Sequence, residues 1–492
     1  MNLDLQHHFA QALPELHIPW RGLNFPEPAL VIYNDHLADE LGLPERPDPM
    51  ITARLLSGME TPPAAQPVAQ AYAGHQFGQF VPRLGDGRAL LLGELATPTG
   101  ELKDLHLKGS GPTPFARGGD GRAVLGPMLR EYLMGEAMHA LGIPTTRALA
   151  VVLTGERVFR PGAYQPGAVL ARIAASHIRV GTFQYAAVHH GPELVGRVAE
   201  FTIGRHDPDL LEQPEKDRYR QFFQRVVERQ LRLISQWMAV GFVHGVMNSD
   251  NTTLSGETID YGPCAFMEAH HPQTVFSSID HQGRYAYGNQ PRIIQWNLAR
   301  LAETLLPLFD ADSEAAHQWA EEQVATIPQR FQARWQETLR AKLGLRTLQA
   351  RDEQLTQEFL EVCTQEAMDH TLAFRRLADA VAGDDTVLLG LARDPRSPAL
   401  TAWLRRWRQR LDKEPTMPPK ERAAVLRRIN PAYIPRNHLV EAALEAATAG
   451  DLQPFQRLLA VVRAPFEERE ADAEYLQPAP EDFGPYRTTC GT

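Results

Sequence analysis

The sequence contains little cysteine and no long apolar run. Only three cysteines occur in 492 residues, namely Cys264, Cys363 and Cys490. So few cysteines cannot form the disulfide network of a small secreted domain, and low usage is typical of a reducing compartment. No apolar stretch approaches the roughly 18 residues that a membrane-spanning helix requires. No basic segment precedes an apolar run near the N-terminus, as it would in a signal peptide. We therefore expect a cytoplasmic protein without a membrane partner.

The sequence also lacks an excess of positive charge. Sixty acidic residues face fifty basic ones, which gives a net charge of -10 and a pI near 6.0. This balance argues against a general nucleic-acid-binding protein, although it leaves room for a local basic cleft. No internal repeat or low-complexity tract is present. The apolar content of 43% is normal for a globular protein with sizeable cores.

The secondary-structure signals change along the chain. Glycine-bounded apolar segments predict a hairpin around Gly85–Arg88 and a strand over 103–108, and a helix follows over 125–142. Long amphipathic helices are predicted over 219–241 and 293–308. The sequence therefore predicts an α+β fold with a small β-rich N-lobe and a large helical C-lobe. The expected divisions are a lead-in (1–60), the N-lobe (61–165), the C-lobe (166–312), a helical extension (313–465) and a tail with Cys490 (466–492).

Two features of the N-lobe are typical of phosphate binding. Gly85 and Gly87 form a turn whose backbone N–H groups could approach a phosphate closely. Lys108 ends a predicted strand, where a lysine beneath such a turn can pair with phosphates. In protein kinases a glutamate of the next helix holds this lysine. Glu131 is the first candidate and Glu136 the second, and five residues of separation put them on different helix faces.

A segment of the C-lobe resembles the catalytic loop of protein kinases. It comprises HGVMNSDN (244–251) and is followed by an Asp-Tyr-Gly triplet that begins at Asp260. Asn251 and Asp260 fall where kinases have their metal ligands, and such oxygen donors suit Mg²⁺. The kinase base position is occupied by Val246, which cannot accept a proton. Ordinary γ-phosphoryl transfer is therefore in doubt. Asp250 is the nearest carboxylate that could replace the missing base.

Several strings together are similar to the selenoprotein O family of kinase-like protein adenylyltransferases. The resemblance is dense over about residues 70–300, and the position of Cys490, third from the end, also fits because family members carry selenocysteine or cysteine there. The strings are YAGHQFG (72–78), LGDGR (84–88), HLKGSG (106–111), GDGRAV (119–124), HGVMNSDN (244–251), DYGP (260–263) and DHQGRYAYGNQP (280–291).

The resemblance implies a protein-kinase-like bilobal fold in which ATP binds in reversed orientation. AMP would then pass to Ser, Thr or Tyr hydroxyls of protein substrates, and pyrophosphate would leave. Asp250 is implied as the proton acceptor, Lys108 and Glu131 as a phosphate-binding pair, and Asn251 and Asp260 as Mg²⁺ ligands. The implied nucleotide-binding residues are Gly85, Gly87, Arg88, Lys108, Asp120, Gly121, Arg172, Arg179 and Asp260.

Some alternatives stay open on the sequence alone. A true kinase would use the same lysine, asparagine and aspartate, and a catalytically inactive nucleotide sensor would need only binding. The ligand set accepts both Mg²⁺ and Mn²⁺, and the choice between ATP and UTP, hence between AMPylation and UMPylation, is also open. Some members of the family are thought to be regulated through disulfides. Cys264 is a conceivable partner of Cys490 here.

Overall fold

The computed structural model describes residues 3–44, 48–62 and 65–489, so the predicted role of Cys490 lies outside the described residues. An antiparallel sheet occupies most of the chain up to Ala174, and helices dominate the remainder, which gives a mixed α/β architecture. The strands are β1 (Leu5–Gln6), β2 (His17–Pro19), β3 (Ala29–Tyr33), β4 (Val68–Gln70), β5 (Gly74–Gln76), β6 (Gln79–Val81), β7 (Ala89–Ala96), β8 (Leu102–Lys108), β9 (Ala123–Val124), β10 (Arg147–Arg160), β11 (Ala163–Ala174), β12 (Phe242–Val243) and β13 (Ala265–Phe266).

Helices of very different length surround the sheet and build the C-terminal part. They are α1 (His8–Ala12), α2 (Asp35–Glu40), α3 (Pro49–Leu56), α4 (Leu125–Ala140), α5 (Val180–His189), α6 (Pro192–His206), α7 (Glu215–Ala239), α8 (Gln290–Phe309), α9 (Ser313–Lys342), α10 (Asp352–Gln365), α11 (His370–Arg375), α12 (Leu377–Ala382), α13 (Thr386–Leu389), α14 (Pro398–Leu411), α15 (Pro419–Ile429), α16 (Asn437–Thr448) and α17 (Gln453–Val462).

The main sheet has the strand order β2-β4-β7-β8-β11-β10-β3, with β1 also on β7 and β9 also on β11. The pairings within it are antiparallel. Strands of the predicted lead-in thus form both ends of this order, and they tie the first 60 residues to the sheet. The division into domains stays a prediction. Two short ladders, β5-β6 and β12-β13, stand apart from the main sheet.

Alternation along β8 decides which side chains reach the functional site. Leu105 and Leu107 point to one face of the sheet, where they belong to a core with Leu56 of α3. His106 and Lys108 point to the opposite face, because successive side chains of a strand alternate. That face is covered by α4, which contributes the partner of Lys108. The alternation of side chains along β8 therefore points Lys108 toward α4.

The helical part is organised around α7. Its apolar stripe includes Phe222, Val226 and Ile234, which are completely buried. It packs against α8 and α9, and the three helices share one core with α4 and the sheet. The chain leaves α7 at Gly241, which has a positive φ of 72°. Such a residue commonly ends a helix because glycine adopts the left-handed conformation without steric cost.

Most predicted elements are confirmed within a few residues. The strand over 103–108 and the helix over 125–142 correspond to β8 and α4. The helices over 219–241 and 293–308 correspond to α7 and α8. Helices α9 to α17 confirm the helical character predicted for most of 313–465. Among the described residues no helix is both long and apolar enough to cross a membrane.

The predicted hairpin around Gly85–Arg88 is wrong. β6 pairs with β5 and β7 pairs with β8, so the two strands that flank the turn are not partners. The reason is Asp86, which bonds to β4 instead. Its backbone N–H donates to the carbonyl of Gln70 at 2.9 Å, and its carboxylate accepts from the N–H of Gln70 at 3.1 Å. The turn is present, but it is hydrogen-bonded to β4 and does not join two paired strands.

Candidate functional site

A cleft of about 730 Å³ lies between the sheet and the loops that follow α7. It is bordered by several arginines. Every predicted site residue except Glu131 lines it, and Glu131 lies directly behind Lys108. The predicted residues that line the cleft are Gly85, Gly87, Arg88, Lys108, Asp120, Gly121, Arg172, Arg179, Asp250, Asn251 and Asp260.

Lys108 is held between two carboxylates. Its Nζ donates to Oε2 of Glu131 at 2.6 Å and to Oδ1 of Asp260 at 2.8 Å. Glu136, the other candidate partner, is turned away and bonds to Arg147 and Arg463. The lysine therefore links α4 to the loop that carries Asp260. Its position is fixed before any ligand enters the cleft.

Arg172 continues this network on the next strand. Its Nη1 donates to Oε1 of Glu131 at 3.2 Å, so one glutamate orients both a lysine and an arginine. Its Nε donates to Nδ1 of His106 at 3.1 Å, which makes that nitrogen the acceptor. The other ring nitrogen of His106 therefore carries the proton and donates to Oδ2 of Asp86 at 3.0 Å. Burial, with the charges of Arg172 and Arg179, holds the pKa of His106 well below its usual range.

Arg179 enters the cleft from the start of α5. Its Nη1 donates to the backbone carbonyl of Asp250 at 3.1 Å, and its guanidinium lies 4.2 Å from the ring centroid of Tyr72. Asp86 is 3.8 Å from Nη2, beyond hydrogen-bond distance. Nη2 is buried and has no hydrogen-bond partner among the described residues. A buried donor without a partner is costly, and a phosphate oxygen in the cleft would satisfy it.

The glycine turn fits closely against the loop after β8. A Cβ at Gly85 would lie 2.5 Å from the ring of Phe115, and one at Gly87 would lie 2.9 Å from the carbonyl of Phe115. The backbone of Gly85 has a φ of 127°, which also favours glycine. Close packing therefore requires glycine at both positions, and it places the turn in the wall of the cleft. Two backbone N–H groups of the turn are used within the protein: that of Asp86 donates to Gln70 and that of Gly87 donates to the carbonyl of Gly85 at 2.8 Å.

Asp120 and Gly121 form a second loop at the mouth of the cleft. A Cβ at Gly121 would collide with the backbone of Pro112 at 2.0 Å. The carboxylate of Asp120 accepts from Arg160 at 2.8 Å and from the backbone N–H of Arg122 at 3.0 Å. The hydrogen bond from Arg160 is the main reason that the pKa of Asp120 is lowered. Arg160, at the end of β10, is not among the predicted site residues, because it lies 40 residues along the chain from Asp120.

The loop after α7 is anchored from beneath by His244. Its Nε2 lies 2.8 Å from the carbonyl oxygen of Ile259, directly before Asp260, and its ring stacks on Trp237. Asp260 itself has a φ of 66°, which is unusual for a residue other than glycine. Partial burial alone would raise the pKa of Asp260, but the charge and hydrogen bond of Lys108 outweigh this effect and hold the pKa well below the usual range. The carboxylate is therefore ionised.

Asp250 is a buried carboxylate beside Asn251. Burial raises its pKa to about 6, against the opposing effects of a hydrogen bond from Gln76 and the charge of Arg179. Its Oδ1 is buried and unpartnered in the described part of the chain, and its Oδ2 accepts from Nε2 of Gln76 at 3.3 Å. Val246 also lines the cleft but offers no acceptor. A carboxylate with this pKa can accept a proton near neutral pH.

The oxygen atoms of Asn251 and Asp260 suit a divalent cation. The amide of Asn251 donates to the carbonyl of Val246 at 3.1 Å, which turns its Oδ1 toward other partners. The side chain of Asp260 is 36% exposed. No group of three or more His, Cys, Asp or Glu side chains in the described ranges could hold a metal alone. A cation here would need the oxygens of a nucleotide to complete its ligands, as Mg²⁺ commonly does.

Sequence analysis did not identify Asp86, His106 and Gln76 as parts of the site. The burial of His106 and its bond to Asp86 indicate a supporting position. The string YAGHQFG, which contains Gln76, pointed to a special segment but not to its partner. The partners lie far apart in the chain, so local patterns could not pair them.

The conceivable pairing of Cys264 with Cys490 stays open, because Cys490 is not among the described residues. Cys264 is completely buried, and burial raises the pKa of its thiol to about 12. The C-terminal segment does pass close by, since Oγ1 of Thr488 donates to the carbonyl of Pro263 at 2.7 Å. A thiol with such a pKa is unreactive at neutral pH unless the surrounding segment opens.

Comparisons with known proteins agree on one family. The sequence profile of "Protein adenylyltransferase SelO" matches residues 1–463. A "Protein nucleotidyltransferase YdiU" of Cereibacter sphaeroides is 53% identical over 497 residues, covering 100% of both chains. The protein of the same name from Mycolicibacterium paratuberculosis is 55% identical over 499 residues, covering 99% of this chain and 98% of its own. That of Mycolicibacterium smegmatis is 52% identical.

Proposed function

The chain belongs to the SelO family of protein adenylyltransferases, and we propose that it transfers AMP from ATP to Ser, Thr or Tyr hydroxyls of other proteins within a kinase-like bilobal fold. One observation carries the proposal. Lys108, Arg172 and Arg179 converge on a single cleft that also contains Asn251 and Asp260. Three cations and two oxygen ligands match the needs of a triphosphate with a divalent metal.

The proposed reaction uses the carboxylate of Asp250 as the base. The acceptor hydroxyl gives its proton to Asp250, its oxygen forms a bond to the α-phosphorus, and the bond from that phosphorus to the bridging oxygen breaks. Pyrophosphate leaves with the electron pair. Absence of a carboxylate at Val246 supports this assignment over the kinase arrangement, since valine cannot accept a proton.

The cationic residues would neutralise the charge that develops on the phosphates. Arg172 is held by Glu131 and is therefore oriented before ATP binds. Arg179 has a free donor in Nη2 within the described structure, which supports a phosphate contact. Prearranged charges of this kind stabilise a transition state without reorganisation during the reaction.

Asn251 and Asp260 would hold Mg²⁺ or Mn²⁺ together with phosphate oxygens. The bound ion would supply charge neutralisation at the phosphates and would orient them. The chain's own contribution is to place two oxygen donors beside Lys108, one of them ionised through that lysine. Nothing in this ligand set distinguishes Mg²⁺ from Mn²⁺.

The test uses ATP labelled separately at the α and γ phosphates, with Mg²⁺ and a mixed protein extract as acceptor. We expect protein to gain label from the α position alone and to lose it with Lys108→Ala and with Asp260→Ala. Lys103→Ala is the matched control, because Lys103 lies on the same strand but pairs with Glu101 outside the cleft. Label from the γ position would indicate a kinase, and ATP binding without any label would indicate a nucleotide sensor.

A further inference from the structure

The hairpin formed by β5 and β6 (residues 74–81) contributes none of the residues that the proposed reaction uses. It is separate from the main sheet and lies against the loop that carries Asp250. Its residues 74–78 belong to the string YAGHQFG. Gln76 and Phe77 line the cleft, whereas Gln79 on the facing strand is exposed. The hairpin therefore forms one wall of the site.

Three consecutive hairpin residues bind three consecutive loop residues. The contacts are the backbone N–H of His75 to Oγ of Ser249 at 2.8 Å, Nε2 of Gln76 to Oδ2 of Asp250 at 3.3 Å, and the backbone N–H of Phe77 to Oδ1 of Asn248 at 3.1 Å. The outer two contacts use backbone donors, so they fix the path of the hairpin. The middle contact is the one that uses a side chain.

The outer contacts are themselves supported. Oγ of Ser249 donates to Oε1 of Gln184 at 2.7 Å, and Nε2 of Gln184 lies 2.8 Å from Nδ1 of His75, which closes a ring of hydrogen bonds. Phe77 has a φ of 49°, which is rare for a residue with a side chain. Such a conformation persists where surrounding contacts enforce it, and it is common at functional sites.

The inner oxygen of Asp250 is closed off by the same hairpin. A Cβ at Gly74 would lie 2.4 Å from Oδ1 of Asp250, so the backbone of Gly74 packs directly on the carboxylate. Oδ1 is buried and has no partner among the described residues. Oδ2 is then the oxygen that an acceptor hydroxyl can approach, and it is the oxygen bound by Gln76.

We propose that Gln76 is a positioning residue for Asp250: its side-chain amide fixes the rotation of the carboxylate so that Oδ2 faces the acceptor hydroxyl. This inference rests on the proposed function, because it assigns Asp250 as the base. The hydrogen bond is long at 3.3 Å, as catalytic hydrogen bonds often are before substrates bind. Gln76 does not exchange the proton, so its effect must pass through Asp250.

The first experiment compares kinetic constants of the full chain with α-labelled ATP, Mg²⁺ and the mixed protein extract. We expect Gln76→Ala to lower kcat by about 10- to 100-fold, since a misplaced base costs rate of this order. The KM for ATP should stay unchanged, because Gln76 contacts no predicted phosphate-binding side chain. Gln76→Glu keeps the shape but replaces the donor with a second carboxylate, and it should lower kcat at least as far.

Gln79→Ala is the matched control, since Gln79 faces Gln76 across the hairpin and is exposed. It should retain the kcat of the unaltered protein. A loss of kcat with Gln79→Ala equal to that with Gln76→Ala would mean that the hairpin acts only as a structural element. Thermal unfolding of each variant establishes that it is folded, and the isosteric Gln76→Glu replaces Gln76→Ala if the latter is not.

A double-substitution cycle separates positioning from a direct role. In an Asp250→Asn background, Gln76→Ala should cause no further loss of the residual α-label transfer, because its target is already gone. The same fold-loss in both backgrounds would overturn the inference. If the unaltered protein transfers no α label at all, the proposed function fails first. If it does transfer label and Gln76→Glu keeps full kcat, only the role of Gln76 is rejected.

Discussion

Glu131 and Glu136 lie five residues apart on α4, and each carboxylate binds a different pair of cations. Glu131 accepts from Lys108 and Arg172 at the cleft. Glu136 accepts from Arg147 and Arg463 on the far side of the helix. Burial and hydrogen bonding are similar for the two, so they form a natural comparison between a site residue and a structural one.

Glu131→Gln should lower α-label transfer by about 10- to 100-fold, because it loosens the two cations that would hold the phosphates. Glu136→Gln should instead destabilise the fold by about 2 kcal/mol or more, since a buried arginine loses its counter-charge. Thermal unfolding with and without ATP and the transfer assay distinguish the two effects. An equal loss of transfer by both folded variants would show that Glu131 has no special function.

Gly85→Ala should weaken ATP binding by about tenfold or more, because an alanine at positive φ costs roughly 1–2 kcal/mol and its Cβ would meet Phe115 at 2.5 Å. Gly118→Ala is the matched control: Gly118 also has a positive φ, of 84°, but a Cβ there has no neighbour within 4 Å. Titration of ATP followed by thermal shift measures both. Similar affinities for the two variants would reject the phosphate-binding turn.

Removal of divalent cations with a chelator should abolish label transfer, and addition of Mg²⁺ or Mn²⁺ should restore it. Asn251→Ala should raise the metal concentration needed for half-maximal rate by about tenfold, in line with the loss of one ligand oxygen. Without ATP its stability should change little, because the side chain makes one described hydrogen bond, to Val246. An unchanged metal dependence would remove Asn251 from the ligand set.

His270 should make stability depend on pH. Burial lowers its pKa to about 4, whereas a histidine in the unfolded chain has a pKa near 6.5. Between these two pKa values His270 is protonated in the unfolded chain but neutral in the folded protein. The contribution is fully present above pH 6.5 and is lost as the pH falls toward 4, by about 1 kcal/mol at pH 5.5.

His270→Asn removes this titration. Nδ1 of His270 lies 3.0 Å from Nδ1 of His370, and the asparagine amide can donate in place of the ring. Denaturant unfolding at pH 7.5 and pH 5.5 should show a smaller loss of stability for the variant than for the unaltered protein. An identical loss in both would mean that His270 titrates normally in the folded state.

The sequence predicted which residues meet in the cleft better than it predicted the contacts that support them. Lys108, Asn251 and Asp260 could be found because their neighbours in the chain form ordered strings with fixed spacing. The two ends of the Gln76 to Asp250 contact are 174 residues apart, and no local period encodes such a contact. Patterns of hydrophobicity specify which face of an element is buried, but not which distant loop covers it.

The incorrect prediction of a hairpin around Gly85–Arg88 has a similar cause. A Gly-Asp-Gly turn between apolar segments is a strong local signal for two paired strands. The carboxylate of Asp86 overrides that signal, because it accepts from the N–H of Gln70 and leads the turn to β4. Side-chain to backbone hydrogen bonds of aspartate often redirect a chain in this way.

Both ends of the main sheet are made by strands that are synthesised first. β2 pairs with β4 at one end, and β3 pairs with β10 at the other, where Tyr33 meets Ala150. A nascent chain must therefore hold these segments unpaired until their partners leave the ribosome. Removal of the residues that precede Ala29 would leave β4 without its partner β2. Removal of all residues up to Tyr33 would also expose β10 as an open edge. Open edges recruit strands of other molecules, and very short edge strands limit this recruitment. With 3 and 5 residues, β2 and β3 leave far less unpaired backbone than an edge formed by the 14 residues of β10 would.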